Sequence, residues 1–328
     1  MKDRVVIGID IGTQGTKTAI FDERGQCLGH AFEPSCLVHP SPGVVEEDPE
    51  RQLQSVCATV KKAIRISGID KHCVAAIAID GQTAGVIGIG KNGKHITPYD
   101  SWLDMRCAPY IKKMEVIAGD QILAKTGNVP SFNHGPKILW CMHEHPDIYE
   151  KIKSFVQPAG YAAMRLCGLE ANDAFIDTTY LHFSGFADNN KKKWDTGLCQ
   201  KFGLDTSKLP RIVEPDEIIG QICPQMADET GLAVGTHVVA GCGDTSASFL
   251  AVGAIKEGIC VDVAGTASVF SATVPKFSPD VSYRTLSCSK AAISGLWNCY
   301  AYINGGGMNL EWYRNKIVYQ HKLSLIHI

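Results

Sequence analysis

Apolar and polar positions follow distinct rhythms along this 328-residue chain, and each predicts a different element. From Val5 to Ile11 the residues are almost all apolar, broken by Gly8 and Asp10. A Gly12-Thr13 turn follows, and Thr18-Ala19-Ile20-Phe21 resumes the apolar pattern, which predicts two strands joined by a tight turn. Asp22 to Gly25 is a further turn, and Cys27 to Phe32 predicts a third, antiparallel strand. Asp48 then stands as a helix N-cap with Pro49 in the first helical position, opening a helix to about Ser67. Val74 to Asp80 is a continuous apolar run of the kind buried in a parallel sheet. Lys91 to Lys94 reads as a hairpin turn, and helical stretches follow at about Cys107–Lys125, Pro136–His143 and Gly160–Leu166. Asn189 to Lys193 is a charge run expected to be a solvated loop. Val238-Val239-Ala240 restores the buried-strand pattern before Gly241-Cys242-Gly243-Asp244 and a small-residue helix from Ser246 to Ala254.

The segment Ile259 to Ser271 repeats the opening hairpin. Superposing Gly265-Thr266 on Gly12-Thr13 places strand on strand and turn on turn, with Val263 where the first copy has Asp10. Asp262 is one residue out of phase, which on a strand points to the opposite face. The chain therefore carries two glycine turns of a phosphate-binding type and one in-phase carboxylate. Two similar domains facing each other across a nucleotide would account for that asymmetry; a chance match of two Gly-Thr hairpins is the alternative.

Several residues are candidates for chemistry. Gly12 and Gly15 let backbone N–H groups approach an anion, and Asp10 at a strand end is placed to hold a divalent cation, directly or through water. A hairpin whose aspartate caps its own turn is the competing reading. Asp244 follows a Gly-x-Gly strand end and precedes a helix, in the crevice where open α/β sheets bind ligands. There it can accept the proton of an attacking hydroxyl, or it can serve as a helix N-cap. Trp102-Leu103-Asp104-Met105-Arg106 combines an aromatic face, a carboxylate and a guanidinium, as sugar sites do; a structural Asp–Arg pair under a packed Trp fits equally. His143-Glu144-His145 reads as surface, and Gly305-Gly306-Gly307 as a glycine loop opening a helix.

Composition narrows the setting. Hydrophobic residues make up 45% and charged residues 20%, and 32 Lys+Arg against 34 Asp+Glu leave a net charge of −2. Nothing in that balance points to nucleic acid or a membrane surface. The thirteen cysteines are odd in number and none falls in a C-x-x-C spacing, as expected for free thiols in a reducing cytosol. With no apolar run long enough to span a bilayer, the expected location is the cytoplasm.

Taken together, Gly8-Ile9-Asp10-Ile11-Gly12-Thr13, Trp102-x-Asp104-x-Arg106, Pro136-Lys137-Ile138-Leu139-Trp140, Gly241-x-Gly243-Asp244 and Gly265-Thr266 form an ordered set that resembles the FGGY family of carbohydrate kinases, from about Val5 to about Asn315. The resemblance implies an α/β chain with the actin-like ATPase (ribonuclease H-like) fold, two related domains closing on ATP-Mg²⁺ and a sugar. It implies a first domain over 1–250 that binds sugar and phosphate, the start of a nucleotide-binding domain over 251–316, and a tail over 317–328 that fits nothing in the family. Carried over by motif, Asp10 is the magnesium-associated carboxylate, acting through water, and Gly12, Thr13, Gln14, Gly265, Thr266, Gly307 and Glu311 are ATP contacts. Asp244 is similar to the general base. Gln82, Thr83, Ala84, Trp102, Asp104, Arg106 and Thr245, with Asp244, are the sugar contacts.

At the segment after the Val74–Asp80 strand, glycerol kinases have Gln-Arg-Glu and xylulokinases Gln-Met-His-Gly, where this chain has Gln82-Thr83-Ala84-Gly85. That argues against glycerol and leaves the pattern closest to the xylulokinase-like branch. The expected reaction is transfer of the γ-phosphoryl of ATP to a ketose such as xylulose. Ribulose, L-xylulose or an erythritol-type polyol are alternatives, and so is an actin-like nucleotide switch without sugar phosphorylation. Kinase-like repressors place a DNA-binding helix-turn-helix before the first phosphate strand, where this chain has four residues. Complete members of the family continue past this chain's end, so the polypeptide alone is expected to be truncated, poorly stable and weakly active; a homodimer is one assembly open to a full-length chain.

Overall fold

The computed structural model describes residues 4–264, 268–303 and 306–317. The hairpin of strands β1 (Val5–Gly12) and β2 (Gly15–Asp22) continues antiparallel into β3 (Cys27–Pro34). Helix α1 (Pro49–Ser67) and strand β4 (Val74–Gly81) follow. Next come helices α2 (Ala108–Thr126), α3 (His134–Glu144) and α4 (Pro158–Cys167). Strands β5 (Ile218–Gln221) and β6 (His237–Gly243) then lead into helix α5 (Asp244–Ala251). These six strands form one sheet in the order β5-β6-β4-β1-β2-β3, in which β1, β4 and β6 run parallel. A second, antiparallel sheet has the order β7 (Cys260–Ala264), β8 (Ser268–Val274), β10 (Trp297–Ile303) and β9 (Ser287–Lys290). Helix α6 (Gly306–Lys316) comes last.

Local signals explain the first helix. The Asp48 carboxylate accepts the Glu50 N–H at 2.9 Å, Pro49 opens the helix, and Leu53, Val56, Val60 and Ala63 form its buried stripe. That stripe joins Ile7, Ile9 and Ile20 in the main core. In β1 the alternation is strict: Ile7, Ile9 and Ile11 are buried beneath the helices, whereas Gly8, Asp10 and Gly12 lie on the other face. β4 departs from the expectation of burial on both faces. Ile77 and Ile79 are fully buried, but Ala76, Ala78 and Asp80 are only half-buried, because α1 and α4 pack on one side of the sheet. Asp10 and Asp80 therefore share the face away from the helices.

β6 reaches the site through a bulge. Its register with β4 shifts between Val239 and Cys242, and Gly241 takes φ +75° there. A Cβ at Gly241 would lie 1.9 Å from the Ile79 carbonyl oxygen. Gly241→Ala is expected to lower stability by about 2–4 kcal/mol, from left-handed strain and overpacking together, read as a lower urea midpoint.

The charge run at Asn189 is less solvated than expected. It turns between Ala187–Asp188 and Lys193–Trp194 with its lysines exposed. Asn189 itself is fully buried, its N–H on the Lys125 carbonyl and its Nδ2 on the Thr126 carbonyl, so the turn is anchored to the end of α2. No helix among the described residues is long and apolar enough to cross a membrane.

Candidate active site

Parallel β1, β4 and β6 bring three carboxylates together at their C-terminal ends. Asp10 stands directly opposite Asp80 in the β1–β4 register and opposite Lys17 in the β1–β2 register. Lys17 Nζ approaches Asp10 Oδ2 at 3.4 Å. Burial pushes the Asp80 carboxyl up to about 8, reinforced by the negative charges of Asp10 and Asp244. Burial also raises Asp10, against the attraction of Lys17. Asp80 therefore holds a proton at neutral pH and hydrogen-bonds to Asp10. The sequence pattern had a signal for Asp80, since its strand ends in an aspartate as β1 does, but only the parallel pairing makes the two neighbours.

Asp244 is the first residue of α5, not its cap. Gly243 occupies the N-cap position, with no side-chain cap hydrogen bond. Asp244 Oδ1 instead accepts from the N–H of Thr245 at 2.6 Å and from its hydroxyl at 3.1 Å. Burial pushes its carboxyl up to about 6, with the Thr245 donors pulling the other way. It is thus ionised at neutral pH and close in pKa to what a general base needs.

Two cavities meet at Asp244. The larger, about 540 Å³, is lined on one side by Thr13, Thr83, Ala84, Trp102, Asp244 and Thr245. Segments that sequence reasoning missed close it: Asn128, Val129, Ser131, Phe132, Phe183, Arg284 to Ser287, Tyr300 and Tyr302. These lie in loops, at the end of a 3₁₀ turn and on the second sheet, so no local pattern announces them. The smaller, about 220 Å³, holds Asp10, Gly12, Asp244, Thr245 and Ser248, faced by Val263 and Val269 of the second sheet. Val263 stands there across from Asp10, as the repeat predicts, whereas exposed Asp262 accepts a hydrogen bond from Ser268.

Hydrogen bonds join the turn to the loop that carries Trp102. Trp102 Nε1 donates to Thr13 Oγ1 at 2.9 Å, and Thr13 in turn donates to Gln82 Oε1 at 3.4 Å. Tyr99 OH also donates to that Gln82 oxygen. Gln82 is fully buried behind the cleft wall, and its Nε2 has no partner among the described residues. His134 Nε2 donates to the Thr83 carbonyl at 2.6 Å; burial pushes this imidazole down to about 4, so it is neutral. The second sheet docks through the Cys288 N–H on the Gly127 carbonyl, Ser287 on Asn128, and Tyr300 OH on His182 Nε2 at 2.7 Å. Arg284 is paired with both Glu115 and Asp120.

Three expected sugar contacts are corrected, the first being Gln82, which is buried and lines neither cavity. Asp104 is fully buried and Arg106 lies outside both cavities. Asp104 Oδ2 accepts the Val45 N–H at 2.8 Å and Arg106 Nε at 2.9 Å, and Arg106 continues to Glu46 at 2.6 Å while lying over the Trp140 ring. Spacing brings the two together but turns them inward, where they brace the loop that presents Trp102. Gln14 is exposed at the turn and lines neither cavity; its carbonyl accepts from the Ser35 N–H. Gly265 and Thr266 lie outside the described residues, and Gly307 and Glu311 belong to helix α6. His143, Glu144 and His145 are exposed.

The donor set fits a cation held largely through water. Among the described residues no group of three His, Cys, Asp or Glu side chains is arranged to hold a metal ion directly. Of the two carboxylates that line the smaller cavity, Asp10 and Asp244, Asp10 is the one beside the glycine turn, and so few protein oxygens match the way Mg²⁺ keeps its waters and bridges to phosphate.

A sheet of this order with carboxylates at its parallel strand ends, faced by a second sheet that repeats the hairpin, defines an actin-like ATPase fold. The solved xylulose kinase from Rhodospirillum rubrum superposes with a TM-score of 0.90 at 22% identity, over 97% of this chain and 64% of that one. Residues 5–251 match the N-terminal domain of the FGGY family of carbohydrate kinases. The chain belongs to that family. It is 30% identical to the xylulose kinase of Escherichia coli (strain K12) over 278 residues, 83% of this chain and 54% of that protein. Against the xylulose kinase of Bacillus subtilis (strain 168) it is 27% identical over 271 residues, 81% and 53% of the two. The chain spans about half the length of these curated relatives.

Proposed function

We propose that this protein is an ATP-dependent sugar kinase that transfers the γ-phosphoryl group to a hydroxyl of a neutral ketose such as xylulose. The observation that carries the reading is the position of Asp244, on the wall shared by the larger cleft and the smaller cavity that contains Asp10. A base there can take the proton of a hydroxyl bound in the cleft while that oxygen attacks phosphorus bound beside Asp10. Trp102, Thr83 and Ala84 shape the sugar side, and Thr13 and Gly12 the phosphate side. Lys17 and the protonated Asp80 keep the charge at Asp10 from repelling the phosphate. Bound at Asp10, Mg²⁺ would neutralise charge developing on the transferred group. The neutral substrate follows from the cleft's lining. Its one cationic side chain among the described residues, Arg284, is already paired with two carboxylates, so no free cation awaits an acidic sugar.

Thr83 and Ala84 offer one hydroxyl and a methyl where a xylulokinase-like site has longer side chains, so another ketose or a polyol of the ribulose, L-xylulose or erythritol type is the second reading. A panel of these compounds, assayed for sugar-dependent ATP consumption, separates the two; no stimulation by any of them would overturn the kinase reading. With the stimulating sugar, kcat/KM is expected to rise with pH through about 6 and to fall roughly tenfold per pH unit well below it, as Asp244 becomes protonated. A profile flat from pH 5 to 8 would remove Asp244 from that role.

A further inference from the structure

The 3₁₀ segment Thr178–Phe183 grips the ends of β4 and β6, the strands that lead into Asp80 and Asp244. Asp177 caps it: its Oδ1 accepts the Thr179 N–H at 2.8 Å and the Thr179 hydroxyl at 2.5 Å. The same hydroxyl oxygen accepts the N–H of Gly243 at 2.9 Å, one residue before Asp244. Tyr180 OH sits between the carbonyls of Gly81, which follows Asp80, and Cys242, at 3.2 and 3.3 Å. Asp177, Thr179 and Tyr180 are all buried, and none of them lines either cavity.

Gly243 is held from two sides. Thr179 takes its N–H, and the Thr83 methyl lies so close that a Cβ at Gly243 would fall 2.4 Å from it. Since α5 starts without a side-chain cap, the direction in which Asp244 leaves the strand depends on how this peptide is fixed. We propose that Thr179, oriented by Asp177, is a positioning residue that aims Asp244 into the cleft by fixing the Gly243 peptide. The role rests on the kinase reading for its consequence, but the grip itself does not. A hydroxyl suits the position because it donates to a carboxylate while accepting from an N–H; valine has the same shape and does neither.

The test compares Thr179→Val with Thr179→Ser, each alone and in an Asp244→Asn background. Two measurements are made: kinetics with the stimulating sugar, and amide hydrogen exchange at Gly243 in the full chain. Thr179→Val is expected to speed exchange at Gly243 by about tenfold or more. It is expected to lower kcat by roughly 10–100-fold while sugar KM stays within about threefold, the pattern of a misaimed catalytic group. Thr179→Ser should restore both to near wild type. In the Asp244→Asn background the valine change should cost less than about twofold more, because a base that is gone cannot be misaimed. Generic damage would multiply instead. Unchanged exchange at Gly243 in Thr179→Val overturns the proposal even if the protein shows no turnover with any sugar. Equal kcat losses in the two backgrounds, or a loss carried by KM, overturn it as well. Absence of sugar-dependent turnover together with fast exchange overturns the aiming role and the kinase reading, and leaves only the grip.

Discussion

Asp244→Asn is expected to cut sugar-dependent phosphoryl transfer by roughly 10²–10⁴-fold, the range that a positioned general base supplies. The change is nearly isosteric, and Asn Oδ1 can still accept from the Thr245 N–H and hydroxyl that bond Asp244 now. Folding should therefore be little affected, and sugar affinity should hold within a few fold. The pH dependence that runs through about 6 in the wild type should vanish from the residual rate. Measuring kcat and KM across pH for both proteins checks all three statements. A variant that keeps its wild-type rate would show that the proton leaves by another route.

Lys137→Met is expected to be the most damaging single change to stability, at about 3–5 kcal/mol, because it strands a buried carboxylate without its cation. Lys137 is fully buried, and its Nζ donates to Asp100 Oδ1 at 2.6 Å, to the Ser101 carbonyl at 2.8 Å and to the Asp104 carbonyl at 3.2 Å. These bonds fix the loop that carries Trp102 into the cleft. Burial already pushes Asp100 up to about 6, with the Lys137 charge opposing the rise. In the variant that opposition is gone, so the folded carboxyl binds its proton more tightly still. A group whose pKa is raised on folding favours the folded state in acid and loses that support as pH rises through the folded value. The deficit should thus be smaller at pH 5 than at pH 8. Urea unfolding at the two pH values reads it; an equal deficit at both would contradict this account of the pair.

Much of the fold was legible because its signals are local. Asp48 and Pro49 announce α1, and the Gly-Thr turns announce the two hairpins. Asp10, Thr13, Thr83, Ala84, Trp102, Asp244 and Thr245 were legible as a site because strand ends and turns in α/β sheets are where ligands bind, and they meet around two adjoining cavities. What was not legible depends on facing and on long-range pairing. Asp104 and Arg106 carry the side chains of a sugar site, but spacing alone does not say that they turn inward to Val45 and Glu46. Asp80 sits in an apolar run whose partner strand lies far away in sequence, and Thr179 of the Asp177–Tyr180 clamp likewise reaches Gly243 across 64 residues. The small side chains of Ala76 and Ala78 likewise hid that β4 is covered on one face only.

The most direct test follows the γ-phosphoryl group itself. With γ-labelled ATP and a neutral ketose that the panel identifies, the label is predicted to appear on a sugar hydroxyl, and this transfer is predicted to be lost in Asp244→Asn. Label released to water at the same rate with and without sugar would contradict the account, and would make the cleft that of a nucleotide switch.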